Sequence, residues 1–172
     1  ILVAALPLPM LGPGSLRALL ERGGSAYGAD HPLFRWTRLL NRAQIEAALG
    51  SAASGLGPLR ELVVLERGPS GRVLRLALLG SRGERVLERD AIRRTLRSLP
   101  STLFLLSSPR PGEWRFQGGG FGHGAGLSQA GALDLAGRGW TLERILSHYY
   151  PGASLLPLDA LTPSAGPAGS GL

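Results

Sequence analysis

Gly118-Gly119-Gly120-Phe121-Gly122-His123-Gly124-Ala125-Gly126-Leu127-Ser128-Gln129 is the stretch of this sequence where residue type and spacing carry chemistry. Gly120, Gly122, Gly124 and Gly126 recur at every second position. An extended backbone here therefore has one bare face and projects Phe121, His123, Ala125 and Leu127 from the other. Positions without side chains let a polymer chain or another backbone approach closely. The third glycine of G-x-G-x-x-G is missing, which excludes a dinucleotide fingerprint. His123 has two readings: a hydrogen-bonding or acid/base group lining a cleft, or a clasp held by backbone bonds in a strained loop. His31, His123 and His148 form no i,i+4 pair, and the chain has no Cys, so neither a metal nor a cofactor is expected.

The elements that position this glycine lane can be read on both sides of it. Downstream, Ser128 caps a helix through Ala136, where Ala130, Gly131 and Ala132 permit close packing. Thr141 caps a last helix that stacks Leu142, Ile145, Leu146 and Tyr149 and stops at Tyr150-Pro151-Gly152. Tyr149 reads as core with its hydroxyl at the rim, whereas Tyr150 fits rim or cleft equally. Upstream, Leu59–Glu66, Val73–Leu79, Glu84–Leu87, Thr102–Ser107 and Trp114–Gln117 read as strands, with Phe34–Thr37 a short extended piece. Ser15 heads a helix burying Leu16, Leu19 and Leu20 that stops at Gly23-Gly24. Asn41 with Gln44 forms a capping box for a helix packing Ile45, Ala48 and Leu49. Asp90 is expected to cap a helix burying Ile92, Leu96 and Leu99. The sum is an α+β fold: a small, mainly antiparallel sheet, short helices near both ends, and the Gly-rich segment extended beside it.

Composition sets the outer bounds. A chain of 172 residues predicts one domain, and 26 Gly with 13 Pro argue for many turns and against a helical bundle or coiled coil. No apolar run reaches the roughly 20 residues of a bilayer span. Nineteen basic residues, all Arg, against twelve acidic give a net charge of +7. The arginines are scattered, and no exposed aromatics are expected to interleave with them as stacking platforms, which argues against nucleic acid as a partner. Residues 1–14 are apolar but broken by Pro7, Pro9 and Pro13, and they lack the basic start of a secretory signal. They read better as a buried extended segment. Residues 159–172 are rich in Pro, Gly, Ser and Ala and read as a flexible tail, leaving 1–158 as the domain.

Phe121-Gly122-His123-Gly124-Ala125-Gly126-Leu127-Ser128-Gln129-Ala130-Gly131-Ala132, followed by Ile145-Leu146-Ser147-His148-Tyr149-Tyr150-Pro151-Gly152, closely resembles the C-terminal signature of the stage II sporulation protein D family (SpoIID/LytB, amidase enhancer). Phe34-Arg35-Trp36-Thr37 and the Pro69-Ser70-Gly71-Arg72 turn also look like that family. The resemblance implies a protein of the cell envelope, outside the cytoplasm, that acts on peptidoglycan. Relatives cleave glycan strands as lytic transglycosylases, and some work beside a cell-wall amidase. Glycan strands and an amidase are thus the implied partners. Gly120, Gly122, His123, Gly124, Gly126, Ser128, Gln129 and Tyr150 are the implied substrate-binding residues. The family's catalytic glutamate precedes the part matched here, and no counterpart is found in this chain. The chain therefore reads as the C-terminal part of the domain. Lytic cleavage needs a carboxylic acid kept protonated beside the glycosidic oxygen. Glu113 beside a turn and Asp134 on a helix face have simpler explanations, so no catalytic residue is assigned. Two functions stay open: a glycan-cleaving domain, or a non-catalytic wall-binding or amidase-stimulating module.

Overall fold

The structure is a computed structural model, described for residues 13–21 and 26–156. Its elements run α1 (Pro13–Glu21), β1 (Arg35–Asn41), α2 (Arg42–Leu49), β2 (Leu59–Arg67), β3 (Val73–Gly80), β4 (Glu84–Glu88), α3 (Asp90–Thr95), β5 (Phe104–Arg110), β6 (Glu113–Gly119), α4 (Gln129–Gly137) and α5 (Leu142–Tyr149). The fold is α+β, as the alternating apolar runs and capping signals predict. It has two three-stranded antiparallel sheets where one was expected. β2, β3 and β4 form a meander, and β6 lies between β1 and β5.

Both sheets feed one core. Leu76 and Leu78 of β3, Phe104 of β5, and Trp114 and Phe116 of β6 are fully buried, with Ile45, Ile92, Leu96 and Leu99 closing it from the helices and turns. The alternation in β6 explains its place at the centre of its sheet. Trp114 and Phe116 point inward while Arg115 and Gln117 face out. Two bare positions, Gly118 and Gly119, then carry the strand into the lane. A Cβ on Gly118 would meet the Trp36 ring and the Leu103 carbonyl.

The capping box at Asn41 and Gln44 forms as expected, with both reciprocal bonds at 2.9 Å. Ile45 and Leu49 are buried, but Ala48 is exposed, because the eight-residue helix turns only one narrow face inward. Arg89, not Asp90, stands at the N-cap of α3, with φ 48° and no side-chain cap. Asp90 is instead the first helical residue and pairs with Arg93 and Arg94. In α1 only Leu16 is fully buried, and Leu19 and Leu20 are half-buried. Their carbonyls accept bonds from the Arg35 guanidinium at 2.7 and 2.6 Å, which satisfies the open end of the helix from β1. Gly23-Gly24, the apolar start and residues 159–172 lie outside the described residues. Among the described residues, no helix is long and apolar enough to cross a membrane.

Candidate functional site: a glycine-walled cleft

Strand pairing ends at Gly119, and the chain then runs through the lane as an ordered, irregular path. It is anchored at nearly every step of its first half. Gly120 N–H donates to the Phe34 carbonyl, and its own carbonyl accepts from Trp36 Nε1 at 3.0 Å. The buried Ser101 hydroxyl donates to Gly119 at 2.8 Å, and Gly122 N–H donates to Pro100 at 2.9 Å. Gly120, Gly122, Gly124 and Gly126 all take φ between 71° and 79°. The bare face expected of an extended segment is thus built differently. Every second residue adopts the left-handed conformation that an L side chain resists.

The second half is held by the C-terminal helices. Tyr150 Oη accepts the Leu127 N–H at 3.1 Å. Ser128 Oγ caps α4 by accepting from Gly131 N–H at 3.2 Å, and it also hydrogen-bonds the Tyr149 hydroxyl. Gly131 is buried, and a Cβ there would strike the Tyr149 hydroxyl. Tyr149 is buried with Leu135 and Ile145 in a small second core, its hydroxyl turned toward Ser128 as the rim reading anticipates. Burial outweighs that bond and raises the Tyr149 pKa above its ordinary value.

Between lane and α4 on one side and the 27–34 loop on the other lies an open cleft of about 430 Å³. The lane from Gly120 to Gln129 lines it, facing Tyr27, His31, Leu33, Phe34 and Arg93. Of the residues singled out from sequence, Gly120, Gly122, His123, Gly124, Gly126, Ser128 and Gln129 meet here. Tyr150 is outside the lining and holds the lane through Leu127 instead. His123 is exposed, and its Nδ1 accepts the Ala125 N–H at 3.1 Å. In the neutral ring the proton therefore sits on Nε2, which leaves a donor for a ligand. Phe121 is 66% exposed at the mouth, with the Arg93 guanidinium 5.8 Å from its ring centre.

No carboxylate lines the cleft among the described residues. Glu113 starts β6, at the end opposite the lane and roughly 20 Å along the strand, where it pairs with Arg110. Asp134 accepts from the Gly28 N–H at 2.8 Å and is forked by Arg138 at 2.7 and 3.2 Å. Its hydrogen bonds, that from Arg138 first, lower its pKa below the ordinary carboxylate range. An acid held ionised in this way cannot protonate a glycosidic oxygen at neutral pH. Its duty is to fasten the 27–34 loop to α4. A depressed pKa stabilises the fold fully above the unfolded value of about 4 and loses that contribution as pH falls through the folded value. Asp134→Asn should therefore melt lower than wild type at pH 7. The difference should narrow as pH falls below about 4, and a pH-independent difference in melting scans would refute this assignment.

Sequence reasoning missed Arg72. Its side chain is only 9% exposed, its guanidinium rests against Gly124 in the place a Cβ would occupy, and Nη1 is buried without a hydrogen-bond partner. Burial lowers its pKa from the ordinary guanidinium value. The only trace in the sequence is the position of Arg72 at the end of the Pro69–Gly71 turn.

Fold and site together define an α+β domain with an open cleft walled largely by the glycine lane. The chain belongs to the family described as a domain of unknown function, DUF8618, whose model matches residues 7–126 and so takes in both sheets and the lane as far as Gly126. It is also similar to stage II sporulation protein D of Bacillus amyloliquefaciens, at 40% identity over 55 residues. That similarity covers 28% of this chain and 16% of the relative, so the chain matches about a sixth of the relative's length.

Proposed function

We propose that this domain binds peptidoglycan glycan strands in a sporulation- or envelope-related, extracytoplasmic role, with the glycine lane as the floor on which the strand lies. One observation carries the reading: four left-handed glycines and His123 line an open cleft beside α4, and Ser128, Tyr149 and Tyr150 hold that arrangement from behind. Bare backbone lets a bulky sugar ring come close, and the exposed His123 Nε2 and Gln129 amide offer polar contacts to its hydroxyl and acetamido groups. The partial similarity to a stage II sporulation protein points the same way. With no acid in the described cleft, the function supported here is binding. Cleavage or amidase stimulation would draw on groups beyond it.

Co-sedimentation with purified sacculi tests this. The wild-type chain should pellet with sacculi. His123→Ala should weaken pelleting several-fold while leaving the melting temperature within about 2 °C, since an exposed ring contributes little to stability. Unchanged pelleting with a large fall in melting temperature would make His123 a structural clasp. Release of soluble muropeptides by the isolated chain would overturn the non-catalytic reading.

A further inference from the structure

Among the described residues, Arg72 holds a buried side-chain nitrogen, Nη1, without a hydrogen-bond partner. A guanidinium is among the most demanding groups to bury, because it brings a fixed charge and five N–H donors. Two half-buried arginines elsewhere in the chain meet that demand. Arg67 donates from Nη1 to the Gly71 and Phe104 carbonyls at 2.8 and 2.9 Å, and Arg35 serves the end of α1. Arg72 stands nine-tenths buried one residue past Gly71, its Nη1 unpartnered and no described carboxylate paired with it. A cation in that state is costly unless a counter-charge arrives. The guanidinium reaches the lane at Gly124, which lines the cleft and has no side chain to intervene. Arg72 lies behind the cleft lining, which among the described residues holds a cation, Arg93, and no anion.

From this geometry we infer that Arg72 is a ligand-binding residue that takes a carboxylate of the bound polymer at Gly124. The left-handed glycine is what lets the anion and the buried fork come within reach of each other. Gly124 and the flanking Gly122 and Gly126 put no side chain between the cleft and the guanidinium, whose planar fork suits a carboxylate. The identity of the ligand rests on the glycan reading above; the anion site itself does not. A wall glycan offers a carboxylate from two sources, the lactyl group of a muramyl sugar or the peptide attached to it.

Binding is measured by isothermal titration of the intact chain with N-acetylglucosamine, N-acetylmuramic acid and N-acetylmuramyl-L-alanyl-D-isoglutamine. The two muramyl ligands carry carboxylates and the first sugar does not. Expected is at least tenfold tighter binding of one or both muramyl ligands, and whichever binds tighter locates the carboxylate. Arg72→Gln should erase that preference without changing the affinity for N-acetylglucosamine, and Arg72→Lys should keep part of it. Equal affinity for all three ligands, or an unchanged preference in Arg72→Gln, overturns the inference while leaving sacculus binding intact. A second measurement needs no variant: sodium lactate should raise the melting temperature above that in sodium chloride of equal ionic strength. If lactate stabilises the chain but neither sacculi nor sugars bind, the anion site stands and the glycan reading fails. No stabilisation by lactate and no muramyl preference together reject Arg72 as an anion site.

Discussion

Phe116→Ala should lower the stability of this domain by about 3–5 kcal/mol, the range for deleting a fully buried aromatic ring. For a chain of this size that is a fall of roughly 6–20 °C in melting temperature. Phe116 is wholly buried on the central strand of its sheet and meets Phe104 of β5 edge-to-face, with ring centres 5.2 Å apart. It belongs to the core that receives Leu76 and Leu78 from the other sheet, so the cavity would open where the two sheets meet. A double-mutant cycle with Phe104→Ala should return a coupling of about 0.5–1.5 kcal/mol for the ring pair. A loss below about 1 kcal/mol in Phe116→Ala, read from urea unfolding, would mean that the two sheets do not share this core. The consequence reaches the site, because β6 delivers the lane. Gly118 and Gly119 sit two and three residues past Phe116, and Trp36 ties the next carbonyl.

What was legible in the sequence follows from how local each signal is. The caps at Asn41, Ser128 and Thr141 were readable because a side chain bonds a backbone N–H two or three residues away, and all three form. The strands were readable as short apolar runs between turn signals, such as Val73–Leu79 and Trp114–Gln117. The division into two sheets was not, since it depends on β6 pairing with β1 across the whole intervening β2–β4 meander, a contact with no local signature. Alternation in the lane was visible as well. It suggested an extended segment because period two is the strand's period, whereas here it marks alternating backbone handedness. The place of Arg89 at a left-handed N-cap, and of Arg72 beneath Gly124, came from tertiary packing alone. Among the candidate acids, Glu113 and Asp134 were set aside from sequence. The structure shows why each is occupied, one pairing with Arg110 at the far end of β6 and the other tied to Arg138 and Gly28.

Gly124→Ala should cost about 2–5 kcal/mol, more than Gly122→Ala, and with it the ligand preference of the cleft. Two effects add. At φ 71° an L residue carries a penalty of about 1–2 kcal/mol. The new Cβ would also fall where the Arg72 guanidinium lies, and forcing atoms into packed space costs about 1–3 kcal/mol more. Gly122 supplies the control. Its φ is 79°, but nothing stands within 4 Å of the place its Cβ would take. Gly122→Ala should therefore show the conformational penalty alone, about 1–2 kcal/mol. The difference between the two variants measures the contact with Arg72. It should shrink when Arg72→Ala clears the space beneath position 124, because the methyl then has somewhere to go. Equal destabilisation of Gly122→Ala and Gly124→Ala in paired denaturation curves would show that the guanidinium does not rest against the lane. A difference that survives Arg72→Ala would assign the crowding to another neighbour. The double variant also separates stability from recognition: Gly124→Ala with Arg72→Ala should regain part of the lost stability, yet remain unable to prefer a carboxylate-bearing ligand, since the charge that reads it has gone.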